Sequence, residues 1–161
     1  MGITIGPVDW WLASPQGISG LIASCPAGTR LLDGSHIICK AGGTAWIIAP
    51  YGTQVQQTWN NTTTTLVGNK CCVCDWPTLC TQMISCGFTP GDWFVPSVSQ
   101  LQNPGYICRT QWNPISAQCY WSSTECNAMC SCFVVFSNGV AGTDQSKTRP
   151  CCVRAFRCVT Y

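Results

Sequence analysis

Apolar residues in this chain fall mostly in short runs broken by Gly, Pro, Asn and Asp, a spacing that suits strands and turns better than long helices. Leu31-Leu32 and Ile37-Ile38-Cys39 flank the pair Asp33-Gly34, and because such a pair accepts the backbone geometry of a tight turn, the stretch predicts a hairpin. Residues 43–50 hold Ala45-Trp46-Ile47-Ile48 ahead of Pro50, which predicts a buried strand stopped by the proline. In residues 75–87 the period changes. Trp76, Leu79, Cys80 and Met83 stand at i, i+3, i+4 and i+7, with Asp75 placed to cap, Pro77 in the first turn and Gly87 just past the end. This is the one clear helix, and its apolar stripe is expected to pack on a sheet. A second, shorter helix is expected after Pro96, where Ser97 and Gln100 have capping-box spacing and Asn103-Pro104-Gly105 ends it within two turns. Phe133-Val134-Val135-Phe136, the turn Ser137-Asn138-Gly139 and the run 152–159 predict a final antiparallel pair or meander. Strands at both ends with helices between them give an α+β class, with a mixed, mostly antiparallel sheet and one or two short helices.

Two segments stand apart from this pattern. Residues 1–24 are apolar, uncharged except for Asp9, and punctuated by Gly and Pro; they are read as an N-terminal arm or strand segment ahead of a domain spanning 25–161, or as an adhesive piece that docks on a larger assembly. The run Asn60-Asn61-Thr62-Thr63-Thr64-Thr65 is expected to be an exposed loop or edge, and its two overlapping glycosylation sequons are taken as coincidences of composition.

Composition sharpens the picture in three ways. A length of 161 residues suits one domain with a core of its own. Charged residues make up only 9% of the chain, and the net charge of +2 has no basic run behind it, so neither nucleic acid nor an anionic membrane is an expected partner. Pro7, Asp9 and Pro15 interrupt the start, which lacks a basic n-region and so reads as neither a secretory signal nor a membrane span. Cytosolic synthesis is the expectation. The fifteen cysteines are then unexpected in a reducing cytosol, unless the product is later released into an oxidising medium, as a virus particle is on lysis. Several disulfides are expected, with connectivity open, and an odd number leaves at least one thiol free or paired between chains.

Three blocks in order, Gly91-Asp92-Trp93-Phe94-Val95-Pro96-Ser97, Tyr120-Trp121-Ser122-Ser123-Thr124-Glu125 and Val153-Arg154-Ala155-Phe156-Arg157, resemble the Lcl C-terminal domain family, a bacterial and phage branch related to the C-type-lectin-like and formylglycine-generating-enzyme folds. The likeness covers roughly residues 42–161. Residues 43–50 and 100–106 also resemble small proteins of marine phages, including viruses of cyanobacteria. Gln100 departs from the family pattern, standing where an acidic residue often opens the helix. The resemblance implies a C-type-lectin-like fold. In that fold Trp93, Pro96, Trp121, Ser122, Ser123, Thr124 and Arg154 act as fold signatures: the tryptophans bury large rings, the hydroxyls satisfy backbone where a strand bends, and Arg154, if buried, needs a carboxylate such as Glu125 or Asp92. It also places a variable recognition surface between the first two blocks, over about residues 103–118. There Tyr106, Arg109, Gln111, Trp112 and Asn113 form an aromatic and amide set suited to stacking on sugars or on another protein. An inward packing of Tyr106 and Trp112 to cover the sheet is the competing expectation.

Other chemistries fit less well. Cys71-Cys72-x-Cys74, Cys126-x-x-x-Cys130-x-Cys132 and Cys151-Cys152 are dense enough for a thiolate metal site, but no pair of Cys-x-x-Cys knuckles is present. The six scattered carboxylates do not promise a calcium site. His36, the sole histidine, lies in the predicted hairpin without a matched nucleophile, and Cys158 stands near Arg154 and Arg157 as the cysteine with the best case for a lowered pKa. The expected function is therefore a non-enzymatic structural protein of a phage virion, as a capsid or tail decoration or a receptor-facing tail component, without cofactor or metal. It is expected to be made in the host cytoplasm and to assemble with other virion proteins and with copies of itself. A host surface glycan or protein is a further candidate partner. The alternatives are a carbohydrate- or protein-binding lectin-like module and, behind it, a thiol-dependent enzyme or structural metal protein.

Overall fold

The structure, a computed structural model, describes residues 15–59, 65–114 and 118–161. The expectations for residues 1–14 and for the sequon loop at 60–64 lie outside the described residues. Helix α1 covers Pro15–Ser24, a difference from the arm or strand expected there. A proline suits the first helical turn, where its missing N–H has no partner to lose. Ile22 and Cys25 are buried, and the Ser19 hydroxyl donates to the Thr160 carbonyl at 2.8 Å, tying the helix to the last strand.

The predicted hairpin forms as a tight turn leading into strand β1, His36–Ala41. Leu31 N–H donates to the Ser35 carbonyl and Gly34 N–H to the Leu31 carbonyl. Gly34 sits at φ +84°, a conformation that L side chains rarely adopt. Asp33 Oδ1 accepts from both the Ser35 N–H and hydroxyl, which closes the turn locally. Strand β2, Thr44–Ile48, pairs antiparallel with β1 and ends before Pro50 as expected. Strand β3 is the short Val55–Gln57.

Helix α2 runs Pro77–Ser85, with Pro77 at its start and Gly87 at φ +85° beyond its end. Its stripe is inside: Trp76, Leu79 and Met83 are fully buried, so truncating Leu79 or Met83 to Ala would cost about 2–5 kcal/mol. Asp75 does not cap it, because a 3-10 turn at Val73–Asp75 places Trp76 at the N-cap. Instead, Gln57 Oε1 on β3 accepts the Leu79 N–H at 2.9 Å. Helix α3, Val98–Gln100, carries the predicted capping box, with Gln100 N–H donating to Ser97 Oγ and Ser97 N–H donating to Gln100 Oε1. The chain continues in a wide turn through Leu101–Tyr106, kinked at Asn103 before a cis Pro104.

Strands β4, Cys119–Glu125, and β5, Cys130–Val135, pair antiparallel. Strand β6, Ala141–Ser146, was not predicted, since its sequence Ala-Gly-Thr-Asp-Gln-Ser has no apolar alternation. It is the outer strand of its sheet and is held by backbone pairing to β5. The last stretch is a correction. Residues 152–159 do not pair with β5 but divide into β7, Cys151–Val153, and β8, Phe156–Thr160, which belong to different sheets. The five-stranded sheet has the order β3-β7-β4-β5-β6, and the three-stranded sheet the order β1-β2-β8. Arg154 and Ala155 form the buried corner between them, where Ala49 N–H donates to the Ala155 carbonyl at 2.9 Å. The fold is thus mixed α+β, mostly sheet, with a few short helices.

Each of the three aromatic blocks contributes buried residues. β4 is central in the larger sheet, and Tyr120 and Trp121 are buried. Ser122 Oγ donates to the Cys132 carbonyl at 2.7 Å, beside the register shift that separates Trp121 from Glu125, and Thr124 Oγ1 accepts the Val98 N–H at 3.1 Å. Ser123 acts through its backbone, its N–H donating to the Pro96 carbonyl. Trp93 is buried against Phe88, ring centres 5.5 Å apart. Buried indoles keep their N–H groups satisfied: Trp121 donates to the Gln57 carbonyl and Trp59 to the Ser122 carbonyl. Two disulfides staple the larger sheet. Cys119–Cys151 joins β4 to β7, and Cys126–Cys132 closes the β4–β5 connection. The other eleven cysteines are unpaired.

Candidate functional site

At the corner where β7 passes into β8, a cavity of about 550 Å³ opens beside Arg154, within the size range of small-ligand pockets. Three segments wall it. The β1 hairpin contributes Arg30, Gly34 and His36, the turn after β2 contributes Pro50, Tyr51 and Gly52, and the loop before β4 contributes Gln111, Trp112, Asn113 and Pro114.

Arg154 is 97% hidden from solvent and has no carboxylate partner among the described residues. Its Nε donates to the Ala49 carbonyl at 2.7 Å and its Nη1 to the Trp112 carbonyl at a long 3.4 Å. The guanidinium carbon lies 5.3 Å from the Trp112 ring centre and 5.7 Å from that of Tyr51, within cation–π range of both. Burial pushes its pKa down to about 10, so it remains charged at neutral pH. The expectation that Glu125 or Asp92 would neutralise it is corrected. Among the described residues the ion pair formed is Lys147–Glu125, with Lys147 fully buried. Lys147 Nζ also donates to the Ala128 carbonyl at 3.0 Å and lies 4.9 Å from the Trp59 ring centre. Sequence gave no sign of that pair, because Lys147 sits in a polar turn far along the chain from Glu125.

His36 stands within this positive surrounding and is neutral at pH 7. Its pKa is lowered first by burial, then by the charges of Arg154 and Arg30, with a backbone hydrogen bond to Gly34 and the charge of Asp33 opposing. Its Nδ1 is buried without a hydrogen-bond partner. Among the described residues the cavity lining holds two arginines and a histidine whose Nδ1 has no hydrogen-bond partner, and no acidic side chain.

The residues proposed from sequence divide. Gln111, Trp112 and Asn113 line the cavity. Trp112 also packs inward, edge-on to Tyr120 and Phe136, and its indole N–H donates to the Gly105 carbonyl at 2.9 Å, as the competing expectation had it. Asn113 takes φ +50°, which Asn tolerates better than most residues, and Gln111 and Asn113 are exposed. Tyr106 and Arg109 are elsewhere. The Arg109 guanidinium stacks 4.0 Å over the Tyr106 ring and donates to its carbonyl, while Tyr106 packs on Phe136. Arg30, Pro50, Tyr51 and Gly52 were not singled out from sequence. Residues 115–117 of the predicted recognition loop lie outside the described residues.

The cysteines group in a way that spacing did not reveal. Cys74 shares hydrogen bonds with the thiols of Cys72 and Cys80, and its own pKa is pushed up to about 11, chiefly by the hydrogen bond with Cys72. Cys108 lies against Cys39, and burial with that neighbour pushes it up to about 11. Cys158 is raised by burial, opposite to the direction expected from its neighbouring arginines. Among the described residues no three Cys, His, Asp or Glu side chains converge as metal ligands, and no helix is long and apolar enough to cross a membrane.

No model of a known protein family matches the chain, and no curated protein sequence matches it. Among solved structures, a fimbrial protein from Bacteroides ovatus superposes with a TM-score of 0.43 and 15% identity over 70% of this chain. The match spans 35% of that protein's length.

Proposed function

We propose that the chain is a non-enzymatic recognition module of C-type-lectin-like build, related to the Lcl C-terminal domain family and carried on a larger particle, with a phage virion as its setting. The observation that carries the recognition reading is the cavity beside Arg154. A buried guanidinium with no acidic partner lies between two aromatic rings, at the point where three loops meet. Leaving a charge buried and unpaired is costly, and a cavity of this size is where such a cost is offset by a bound group. Tyr51, 58% exposed at the rim, offers a ring face for stacking, and Gln111 and Asn113 offer amides that donate and accept hydrogen bonds. The stapled sheet beneath keeps these groups in place, which lowers the entropic cost of binding. The virion setting rests on the sequence: an uncharged surface that favours neighbours, and cysteines that suit a particle released into an oxidising medium.

A panel of defined oligosaccharides, presented to the purified protein, tests the recognition reading. Binding of at least one glycan, lost in Tyr51→Ala with the melting temperature unchanged, supports it. Wild-type protein that binds none of the panel, or binding untouched by Tyr51→Ala, overturns it. Mass spectrometry of purified particles tests the setting: the chain is expected at a fixed copy number per particle, and its absence from intact particles removes the virion role.

A further inference from the structure

The recognition reading leaves the ligand unnamed, and the donors of the cavity narrow it. On Arg154, Nε is used by Ala49 and one proton of Nη1 is directed to Trp112. Both protons of Nη2 and the second of Nη1 stay free of hydrogen bonds to described residues. The guanidinium is planar, and its Nη groups are donors of the kind that the two oxygens of a carboxylate meet. Arg30 supplies a second positive charge at the exposed side of the cavity, and His36 supplies a buried nitrogen without a partner. Among the described residues no lining side chain is acidic, so an ammonium group brought in with a free amino acid finds no counter-charge among them. Hydroxyls would: the Gln111 and Asn113 amides can serve them, and the Tyr51 ring can lie against the C–H face of a pyranose.

Resting on the recognition reading above, we infer that the cavity takes a sugar acid, with its carboxylate on the free edge of Arg154 and its ring between Tyr51 and the Gln111–Asn113 amides. Arg30 and His36 complete the anion site. A neutral sugar of the same shape lacks the group that Arg154 requires, and inorganic sulfate, which can meet the same donors, lacks the ring that Tyr51 and the amides would hold.

Titration of the protein with methyl glucuronide, methyl glucoside and inorganic sulfate at equal ionic strength, followed by NMR at His36 and at the Trp112 indole N–H, tests this. The glucuronide is expected to bind about ten- to a hundredfold more tightly than the glucoside or sulfate, the range for charge-assisted hydrogen bonds. Its binding is expected to raise the His36 pKa, because the carboxylate offsets the Arg154 and Arg30 charges that now lower it, in the same direction as Asp33. Arg154→Gln carries a risk of unfolding, since the residue is buried; Arg30→Gln alters an exposed side chain and is expected to weaken the glucuronide several-fold while leaving the melting temperature unchanged. Equal affinity for glucuronide and glucoside would overturn the carboxylate assignment and leave the recognition reading standing. Preference for sulfate, or an unmoved His36 at saturation, would overturn the assignment as well. No response to any of the three, together with a glycan panel that draws no binding, would remove both.

Discussion

Pairwise removal of the Cys119–Cys151 bridge, as Cys119→Ala with Cys151→Ala, isolates the contribution of covalent stapling to the scaffold under the cavity. The bridge spans a sequence separation of 32 residues, which in the chain-entropy treatment corresponds to about 3.7 kcal/mol at 25 °C. Cys126–Cys132 spans 6, and the same relation gives about 2.2 kcal/mol. Cys151 is fully buried, so its replacement adds a small packing loss to the first figure, and the ratio between the two pairs should, if anything, widen. Urea unfolding followed by tryptophan fluorescence is the assay, with wild type and both double variants measured without reductant. A domain of ordinary stability has about 5–15 kcal/mol in total, so the long-loop variant should lose a large part of it and the short-loop variant distinctly less. Equal losses, or a larger loss for the short loop, would refute the entropic reasoning. Wild-type protein that titrates fifteen free thiols would remove its premise.

Other outcomes follow from the same contacts. Lys147→Met leaves Glu125 without its buried cation and should cost about 3–5 kcal/mol in chemical denaturation, with partial recovery on adding Glu125→Gln. For Glu125, burial alone would raise the carboxyl, but hydrogen bonds from Lys147 and from the Val67 and Gly68 N–H groups outweigh it and hold the pKa below the ordinary value. Its contribution is thus present above the usual carboxylate range and lost as pH falls through the depressed value; an acid titration of stability in Glu125→Gln that matched wild type would contradict this. Gly139→Ala places a methyl into the Tyr106 ring from a backbone at φ +76° and should cost about 2–5 kcal/mol in thermal or urea unfolding. Cys74 and Cys108, both pushed up to about 11, should alkylate slowly at pH 8 with rates still rising past pH 10; peptide mapping that finds either modified first at neutral pH would overturn the assignment.

Much of the fold was legible because its local signals are strong. The Asp33-Gly34 turn, the strand before Pro50, the stripe from Trp76 to Met83 and the capping box at Ser97 each rest on contacts within a few residues. What the pattern could not show depends on long-range pairing. β6 has no apolar alternation, since its place at a sheet edge needs only backbone bonds. The division of 152–159 between two sheets is invisible because the residues on both sides of Arg154-Ala155 read equally well as strand. Asp75 lost its capping role to a 3-10 turn that moved the helix start by one residue.

The site was half legible for the same reason. Gln111, Trp112 and Asn113 stand together in one loop and were found together, whereas Arg30, His36, Tyr51 and Arg154 meet only because the corner after β7 folds beneath the hairpin and the turn after β2. Arg154 was expected to need Glu125 or Asp92 if buried; it is buried without either, and Glu125 pairs with Lys147.

Chemical-shift mapping of the protein saturated with a bound glycan tests the central claim most directly. The account predicts that the largest shifts fall on Tyr51, Gln111, Trp112, Asn113 and the Arg154 side chain. Shifts centred on the Tyr106–Arg109 stack or on the β6 edge, with the Arg154 corner unmoved, would contradict it.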